Sequence, residues 1–301
     1  MKEILKKAQQ GKYAIGAFNF STAEVLKAIV LTAQKAGAPL IVATSEKEAE
    51  FVGMREAIAL VGAWRAATEL PIILNLDHGK SLEKIKKALA AGYSAIHFDG
   101  SDFLYEENVA QTRHLVDYVR SMEKTYDRQI IVEGEVGYLR GTSATHSEAL
   151  EIKPEDLTTP WQAQDFVERT GVDSLAIAIG NAHGVFAKGQ EKLDLERLAQ
   201  IKKAVGDVFL VLHGGSGIPA EDVKKAIEIG IVKVNINTEL RVAYKEGLEE
   251  ELKDKPNETT PYKILGPSFE GAKKVVEEKI GLFGSQNKNQ GSCLGNFDIM
   301  S

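Results

Sequence analysis

The sequence predicts a (β/α)8 TIM barrel with extra helices at both ends. Short runs rich in Val, Ile, Leu and Ala recur eight times, each followed by a segment of helical period. Near-continuous apolar strands alternating with helices imply a parallel sheet covered by those helices. Several helical segments stop at a glycine just before the next strand, at Gly37, Gly92, Gly171 and Gly230. A residue that turns left-handed at little cost ends a helix there. Eight such repeats within about 250 residues are the arithmetic of a barrel. A doubly wound open sheet is the alternative, weakened because no strand leads into a GxGxxG turn.

The elements follow in order. An amphipathic segment (2–9) precedes the first strand, AIGAFNF (14–20). The next strands are PLIVATS (39–45), PIILNLD (71–77), SAIHFDG (94–100) and QIIVEGEVG (129–137). SLAIAIG (174–180), VFLVLHGG (208–215) and IVKVNINT (231–238) complete the eight. Between them lie stretches such as SLEKIKKALAAG, where Leu82, Ile85 and Leu89 recur at spacings of three and four and mark one helical face. A long connection after the fifth strand runs from 138 to about 160, and a last helix is expected over 261–280. One barrel domain over 1–283 and a polar, poorly ordered tail over 284–301 are therefore expected.

The bulk properties exclude several function classes. With 301 residues, 44% hydrophobic and 27% charged, the chain has an ordinary globular composition and length for a large core. A net charge of −6 without a Lys/Arg block argues against nucleic acid as a partner. No apolar run approaches the roughly 18 residues of a membrane span, and MKEILKKAQQGKYAIG has no signal-like apolar stretch. A soluble, cytoplasmic protein is expected, with no membrane partner. Cys293, the one cysteine, permits no internal disulfide and accords with a reducing compartment.

Alternation along a strand sends residues i and i+2 to one side. Asn75 and Asp77, His97 and Asp99, Glu133 and Glu135, and Lys233, Asn235 and Asn237 therefore form polar faces opposite the helix-facing apolar positions. They point into the lumen. A purely structural barrel fills its lumen with branched aliphatics, so polar groups toward the strands' C-terminal ends indicate a site. Lys233 and Glu133 lie one layer deeper and are expected to pair as a buried ion pair. For His97, inside a strand, core and functional roles stand equal.

Three other histidines share a local grammar: LDHGK (His78), NAHGV (His183) and VLHGG (His213). Each follows a strand and precedes a glycine, so all three stand on one rim. Three imidazoles with an open fourth position make a catalytic zinc site, whereas structural zinc prefers cysteines. HGGSGIP (213–219) leads into a helix with Pro219 at its first turn, and NINTEL (235–240) ends the last strand with Thr238 as a candidate N-cap. Loops after the seventh and eighth strands, opening into helix N-termini, suit a phosphate.

In this order LDHG, FDGS, EGEVG, GNAHG, HGGSG and VNINTEL resemble the motifs of the class II, metal-dependent ketose-bisphosphate aldolases, from AFNF (17–20) to TELR (238–241). The resemblance implies a lyase of carbohydrate metabolism (glycolysis) and a homodimer or homotetramer. Such an enzyme reversibly cleaves fructose 1,6-bisphosphate, or alternatively tagatose 1,6-bisphosphate, to dihydroxyacetone phosphate and glyceraldehyde 3-phosphate. It further implies that His78, His183 and His213 ligate zinc, and that Asp77 is the catalytic acid/base. Gly214, Gly215, Ser216, Asn235 and Thr238 would hold dihydroxyacetone phosphate, while Asn19 and Ser45 match positions lining the substrate pocket. Gly184 and Gly214 fall where the family places a monovalent cation, sodium or potassium, beside the phosphate. Glu135 is a candidate for a further metal contact or for the partner of a histidine.

The sequence departs from the family in two places that bear on chemistry. The strand-5 loop of the family carries a Gly-Gly and a Glu-Asp pair, but here reads GYLRGTSATHSEALE. Glu148 is the first candidate for the loop carboxylate and Glu151 the second. Asn237 stands where fructose-specific members carry Asp and tagatose-type members Ala. Lys47, in SEKEAE (45–50), replaces a common Gly. Three rival readings differ in kind: a Schiff-base aldolase using Lys233, a zinc hydrolase, for which AFNF lacks the usual His-x-His, and a non-catalytic phosphosugar-binding barrel.

Overall fold

The structure, a computed structural model, describes residues 1–147, 150–186 and 192–289. Its strands are β1 (Ile15–Asn19), β2 (Leu40–Ser45), β3 (Ile72–Gly79), β4 (Ala95–Phe98), β5 (Ile131–Val136), β6 (Gly141–His146), β7 (Ser174–Ile177), β8 (His183–Phe186), β9 (Phe209–Leu212) and β10 (Ile231–Ile236). Eight of them close a barrel in the order β1-β2-β3-β4-β5-β7-β9-β10 and back to β1, with every pairing parallel. All eight expected strands are present, and the barrel is a TIM barrel.

The helices are α1 (Lys2–Gly11), α2 (Ala23–Lys35), α3 (Glu46–Val52), α4 (Met54–Thr68), α5 (Leu82–Ala91), α6 (Tyr105–Tyr126), α7 (Pro160–Thr170), α8 (Leu195–Val205), α9 (Ala220–Ile229), α10 (Thr238–Asp254), α11 (Pro261–Ile264) and α12 (Gly266–Leu282). Their starts are written locally. Ser81 and Asp194 cap α5 and α8 through their side chains, and Thr159 with Gln162 forms a capping box ahead of Pro160 in α7. The four glycines expected to stop helices all have positive φ: Gly37 at 58°, Gly92 at 123°, Gly171 at 70° and Gly230 at 151°.

Two apolar layers form the core. The larger packs the helices onto the outward faces of the strands. The smaller lies inside the barrel, where Ile15, Ala17, Ile41, Ile73, Ala95 and Ile131 meet Leu5 and Ala8 of α1. Helix α1 thus plugs the N-terminal end of the lumen, and burying Leu5 contributes about 2 kcal/mol. Above this plug Lys233 Nζ meets Glu133 Oε2 at 2.7 Å, both residues buried, as the lumenal pairing required. The lower lumen thus holds a paired Lys233 and Glu133 above the apolar plug, with a small cavity left between them, and a polar cleft opens at the C-terminal mouth.

Five local features differ from the sequence-based expectation. The strand-5 connection is not all loop, because β6 pairs in parallel with β8 as a separate two-stranded sheet. The last helix is broken at Leu265 into α11 and α12, with Pro267 in the first turn of α12. Asn237, not Thr238, occupies the N-cap of α10, and its side chain makes no capping bond. Pro219 likewise precedes α9 by one residue. Residues 284–289, which belong to the tail that the sequence predicts, pack onto the end of α2: Asn287 N–H donates to Ala36 O and Asn289 N–H to Gly37 O, each at 2.9 Å. The remainder of that segment, 290–301, lies outside the described residues. Among the described residues no helix is long and apolar enough to cross a membrane.

Candidate active site

The mouth of the barrel is shaped first by an irregularity in β3. Asn75 pairs with Ala95 and Leu76 with Ile96, but the next pair is Gly79 with Phe98, so β3 carries one extra residue. Strict alternation would send Asp77 into the lumen and His78 toward the helices. The bulge, with His78 in the left-handed region at φ 49°, turns both side chains onto the same mouth. Gly79 follows because a Cβ there would press on Ile85 at 3.0 Å and on the His97 carbonyl at 3.1 Å.

Carboxylates hold two of the imidazoles from behind. His78 Nδ1 lies 3.0 Å from Asp99 Oδ2, and His213 Nε2 lies 2.7 Å from Glu133 Oε1. Each of those nitrogens donates its proton to the carboxylate, which leaves His78 Nε2 and His213 Nδ1 as lone-pair acceptors. These two face one another at 3.1 Å. Opposed lone pairs at that distance repel unless a cation is shared between them, either a proton or a metal ion. A four-coordinate zinc with Zn–N bonds of about 2.0–2.1 Å spaces two ligand nitrogens by roughly 3.3 Å. Carboxylate-backed imidazoles are the usual outer support of such ligands. His183, the first residue of β8, places its ring centroid 4.8 Å from that of His78 and 6.4 Å from that of His213.

Burial and then the neighbouring histidines push His183 down to about 3, so its imidazole is neutral as metal ligation requires. Burial also lowers His213. For His78 burial acts the same way, but Asp77 and the Asp99 hydrogen bond outweigh it and raise its pKa. Glu135 lies behind the cluster, Oε2 at 3.0 Å from His97 Nε2 and 3.9 Å from His78 Nδ1. That oxygen has no aligned hydrogen-bond donor although it is buried. Ligand atoms of Asp77, His78, His97 and His213 lie within 4.8 Å of one another, as do those of His78, Asp99 and Glu135. The donor set fits a divalent metal.

Asp77 is buried beside this cluster with both oxygens occupied. Asn235 Nδ2 donates to Oδ1 at 2.9 Å and Asn19 Nδ2 to Oδ2 at 3.1 Å. Burial by itself would raise its pKa, but the histidines around it hold the carboxyl well below the ordinary range. An ionised carboxylate, positioned by two amides, therefore opens onto the cleft. The cleft spans about 290 Å³ together with its open mouth.

Most of the predicted site residues converge here. Asn19, Asp77, His78, His183, Gly184 and His213 line the cleft, together with Gly214, Ser216, Asn235, Asn237 and Thr238. On the side where the sequence leads one to expect a phosphate, Gly214 has φ 60°, and a Cβ on it would collide with the Ala182 carbonyl. The start of α10, with its dipole and first amides, one of which (Glu239 N–H) donates to Ser216 Oγ at 3.4 Å, faces the same wall. Other predicted residues have different neighbours. Gly215 gives its amide to the Asn235 carbonyl at 3.1 Å rather than to the cleft. Ser45 caps α3 by accepting from Glu48 N at 3.3 Å and is not part of the lining. Glu148 lies outside the described residues.

Some participants were missed. His97, left undecided from sequence, sits in the middle of the cluster with its ring 4.6 Å from that of His78 and 4.5 Å from that of His213. Its lumenal parity with Asp99 was the available signal. Asp99 and Glu133 were placed on lumenal faces but not recognised as partners of histidines. Ser143, in β6, lines the cleft and could not be assigned without the β6–β8 pairing. Glu48 accepts from Asn19 Nδ2 at 2.9 Å and from Arg241 Nη2 at 2.6 Å, joining α3 and α10 at the rim.

A closed parallel barrel with imidazoles and carboxylates on its C-terminal mouth defines a (β/α)8 enzyme with a candidate metal centre. The sequence profile of the family described as fructose-bisphosphate aldolase class-II matches residues 1–288. Among solved structures, the chain is similar to the YdjI aldolase from Escherichia coli K12, with 31% identity and a TM-score of 0.79 over 96% of this chain and 98% of that one. It is similar to a Coccidioides immitis protein provisionally described as a fructose-1,6-biphosphate aldolase, with 29% identity and a TM-score of 0.81 over 96% and 97%. A fructose-bisphosphate aldolase from Campylobacter jejuni, at 23% identity and a TM-score of 0.79 over 95% of each chain, shares the fold. The chain belongs to the class II fructose-bisphosphate aldolase family. It is an aldolase, a carbon–carbon lyase of a metal-dependent family that acts on phosphosugars.

Proposed function

We propose that this aldolase reversibly cleaves fructose 1,6-bisphosphate to dihydroxyacetone phosphate and glyceraldehyde 3-phosphate, with zinc as its metal. The observation that carries the reading is the ionised Asp77 held by Asn19 and Asn235 beside two inward-facing imidazole lone pairs. His78, His183 and His213 would hold the metal, with Glu135 as a further contact. Bound there, zinc supplies Lewis acidity that lowers the cost of negative charge beside the substrate carbonyl.

The chain's own groups carry the protons. In cleavage Asp77 accepts the proton of the C4 hydroxyl as the C3–C4 bond breaks. The electron pair left on the dihydroxyacetone phosphate half then takes a proton at C3 from a loop carboxylate. Glu148 is the first candidate for that carboxylate and Glu151 the second. Gly214, Ser216 and Thr238, with the amides that open α10, hold the phosphate next to the reacting carbons. A sodium or potassium ion held by the Gly184 and Gly214 carbonyls would assist them. Asn235 and Asn19 keep Asp77 oriented.

Lys233 does not favour a Schiff-base route, since it is buried and paired with Glu133 on the far side of the cluster. Tagatose 1,6-bisphosphate remains the second substrate to test, because Asn237 lines the cleft at the position where the sugar types differ. Rates with each bisphosphate, with and without added zinc, in wild type and Asp77→Ala test the reading. Cleavage of neither sugar by the zinc-loaded enzyme would overturn this substrate assignment. Solvent-hydrogen exchange into dihydroxyacetone phosphate, compared for Glu148→Gln and Glu151→Gln, identifies the loop carboxylate. A homodimer or homotetramer in the cytoplasm completes the proposal, and sedimentation measures the assembly.

A further inference from the structure

The extra residue in β3 brings Asp77 and His78 to one mouth, but it also takes the His78 N–H out of the barrel ladder. A buried amide displaced in this way needs another acceptor. The His78 N–H donates to Nδ1 of His97, on the neighbouring strand, at 3.1 Å. His97 is fully buried, and its backbone sits where it can do this because the β3 and β4 registers are offset by one residue at this point. The flanking contacts fix the same geometry: Asp99 N–H donates to the Gly79 carbonyl at 3.1 Å, closing the ladder beyond the bulge.

From these contacts we infer that His97 is a positioning residue that holds the left-handed backbone of His78, through Nδ1, and so aims the His78 imidazole at His213. The inference rests on the proposed metal site and extends it. His97 stands among four clustered imidazoles, yet its nitrogens differ from those of the ligand candidates. His78 and His213 each turn one nitrogen to a carboxylate and present the other to the shared centre. His97 accepts a backbone N–H on Nδ1, so its proton is on Nε2, which lies 3.0 Å from Glu135 Oε2 without the alignment of a hydrogen bond. Neither nitrogen is presented as His78 Nε2 and His213 Nδ1 are. A non-glycine residue with φ near 49° is uncommon, even though histidine tolerates it better than most, and it is kept there by what its backbone bonds to. Reversion to ordinary backbone at His78 would rotate its imidazole away from His213.

Two substitutions separate the nitrogens of His97. His97→Asn places an acceptor oxygen near the position of Nδ1 and lacks the Nε2 end. His97→Gln reaches the Nε2 position and lacks the near acceptor. Zinc affinity by chelator competition and the visible spectrum of the cobalt-substituted protein are read for both, with wild type as reference. We expect His97→Asn to stay within about threefold of wild type with an unchanged cobalt spectrum, and His97→Gln to weaken binding about tenfold or more with an altered one. Equal losses in the two variants, or no loss in either, would overturn the inference. A wild-type protein that takes up no metal would instead overturn the proposed metal site. Should the variants fail to fold, the zinc-loaded wild type decides. A ¹⁵N–¹⁵N coupling across the hydrogen bond from His78 N to His97 Nδ1 is expected, and a protonated His97 Nδ1 without that coupling overturns it.

Discussion

His78 Nε2 and His213 Nδ1 face one another at 3.1 Å while Asp99 and Glu133 hold the other nitrogen of each ring. The arrangement calls for a cation between the two rings and makes the chemistry testable by removing it.

Exhaustive chelation should abolish aldolase activity, and zinc or cobalt should restore it. Because the ligands converge only in the folded chain, saturating metal should also stabilise the protein, by about 4 kcal/mol at a thousandfold excess over the dissociation constant. Thermal melts with and without metal measure this. Full activity in protein shown to be metal-free by elemental analysis would end the metal reading.

Asp77→Asn keeps the shape of the site and removes the proposed proton acceptor. The turnover number is expected to fall on the order of 10²–10⁴-fold, with zinc content unchanged. A coupled cleavage assay beside metal quantitation checks both halves. A loss below tenfold would take Asp77 out of the proton transfer.

Lys233→Met leaves Glu133 buried without its cation, and stability should drop by about 3–5 kcal/mol. Denaturant melts read this directly. Adding Glu133→Leu should recover much of that stability while weakening zinc binding about 10–100-fold, because His213 then lacks its carboxylate. Borohydride with substrate should leave wild-type activity intact; trapping at Lys233 would revive the Schiff-base route.

Ser216→Ala tests the phosphate wall. A hydrogen bond to a charged group lost there should raise the Michaelis constant roughly 10–100-fold, and inhibition by inorganic phosphate should weaken in parallel. Turnover should change little. Gly214→Ala combines the Ala182 carbonyl collision with an unfavourable left-handed backbone, so it should lose phosphate affinity even where the fold survives. Unchanged constants in both variants would move the phosphate elsewhere.

How much of this was legible differs from element to element. The eight strands and their lumenal faces follow from alternation and from glycine stops, which are properties of neighbouring residues. The Lys233–Glu133 pair was legible for the same reason: two charges in the lumenal rows of a barrel have few partners but each other. The rim histidines were visible in their repeated position after strands, and the family motifs joined them to phosphate and acid/base roles. Ser45 and Gly215 were not readable in this way. Each lies near the mouth, but Glu48 engages the first and the Asn235 carbonyl the amide of the second.

The sequence by itself determined the barrel, the sidedness of its strands and the residue types at its mouth, because apolar period and strand parity are local. Tertiary structure alone decided three further matters. The β3 bulge puts Asp77 and His78 on one side, and register is a relation between two strands that neither strand's sequence contains. The pairing of β6 with β8 brings His183 and Ser143 to the cleft from segments about 40 residues apart. The third is the role of His97, whose lone pair meets the backbone amide that the bulge frees. A displaced amide must find an acceptor in three dimensions, and the side chain that supplies it is set by packing.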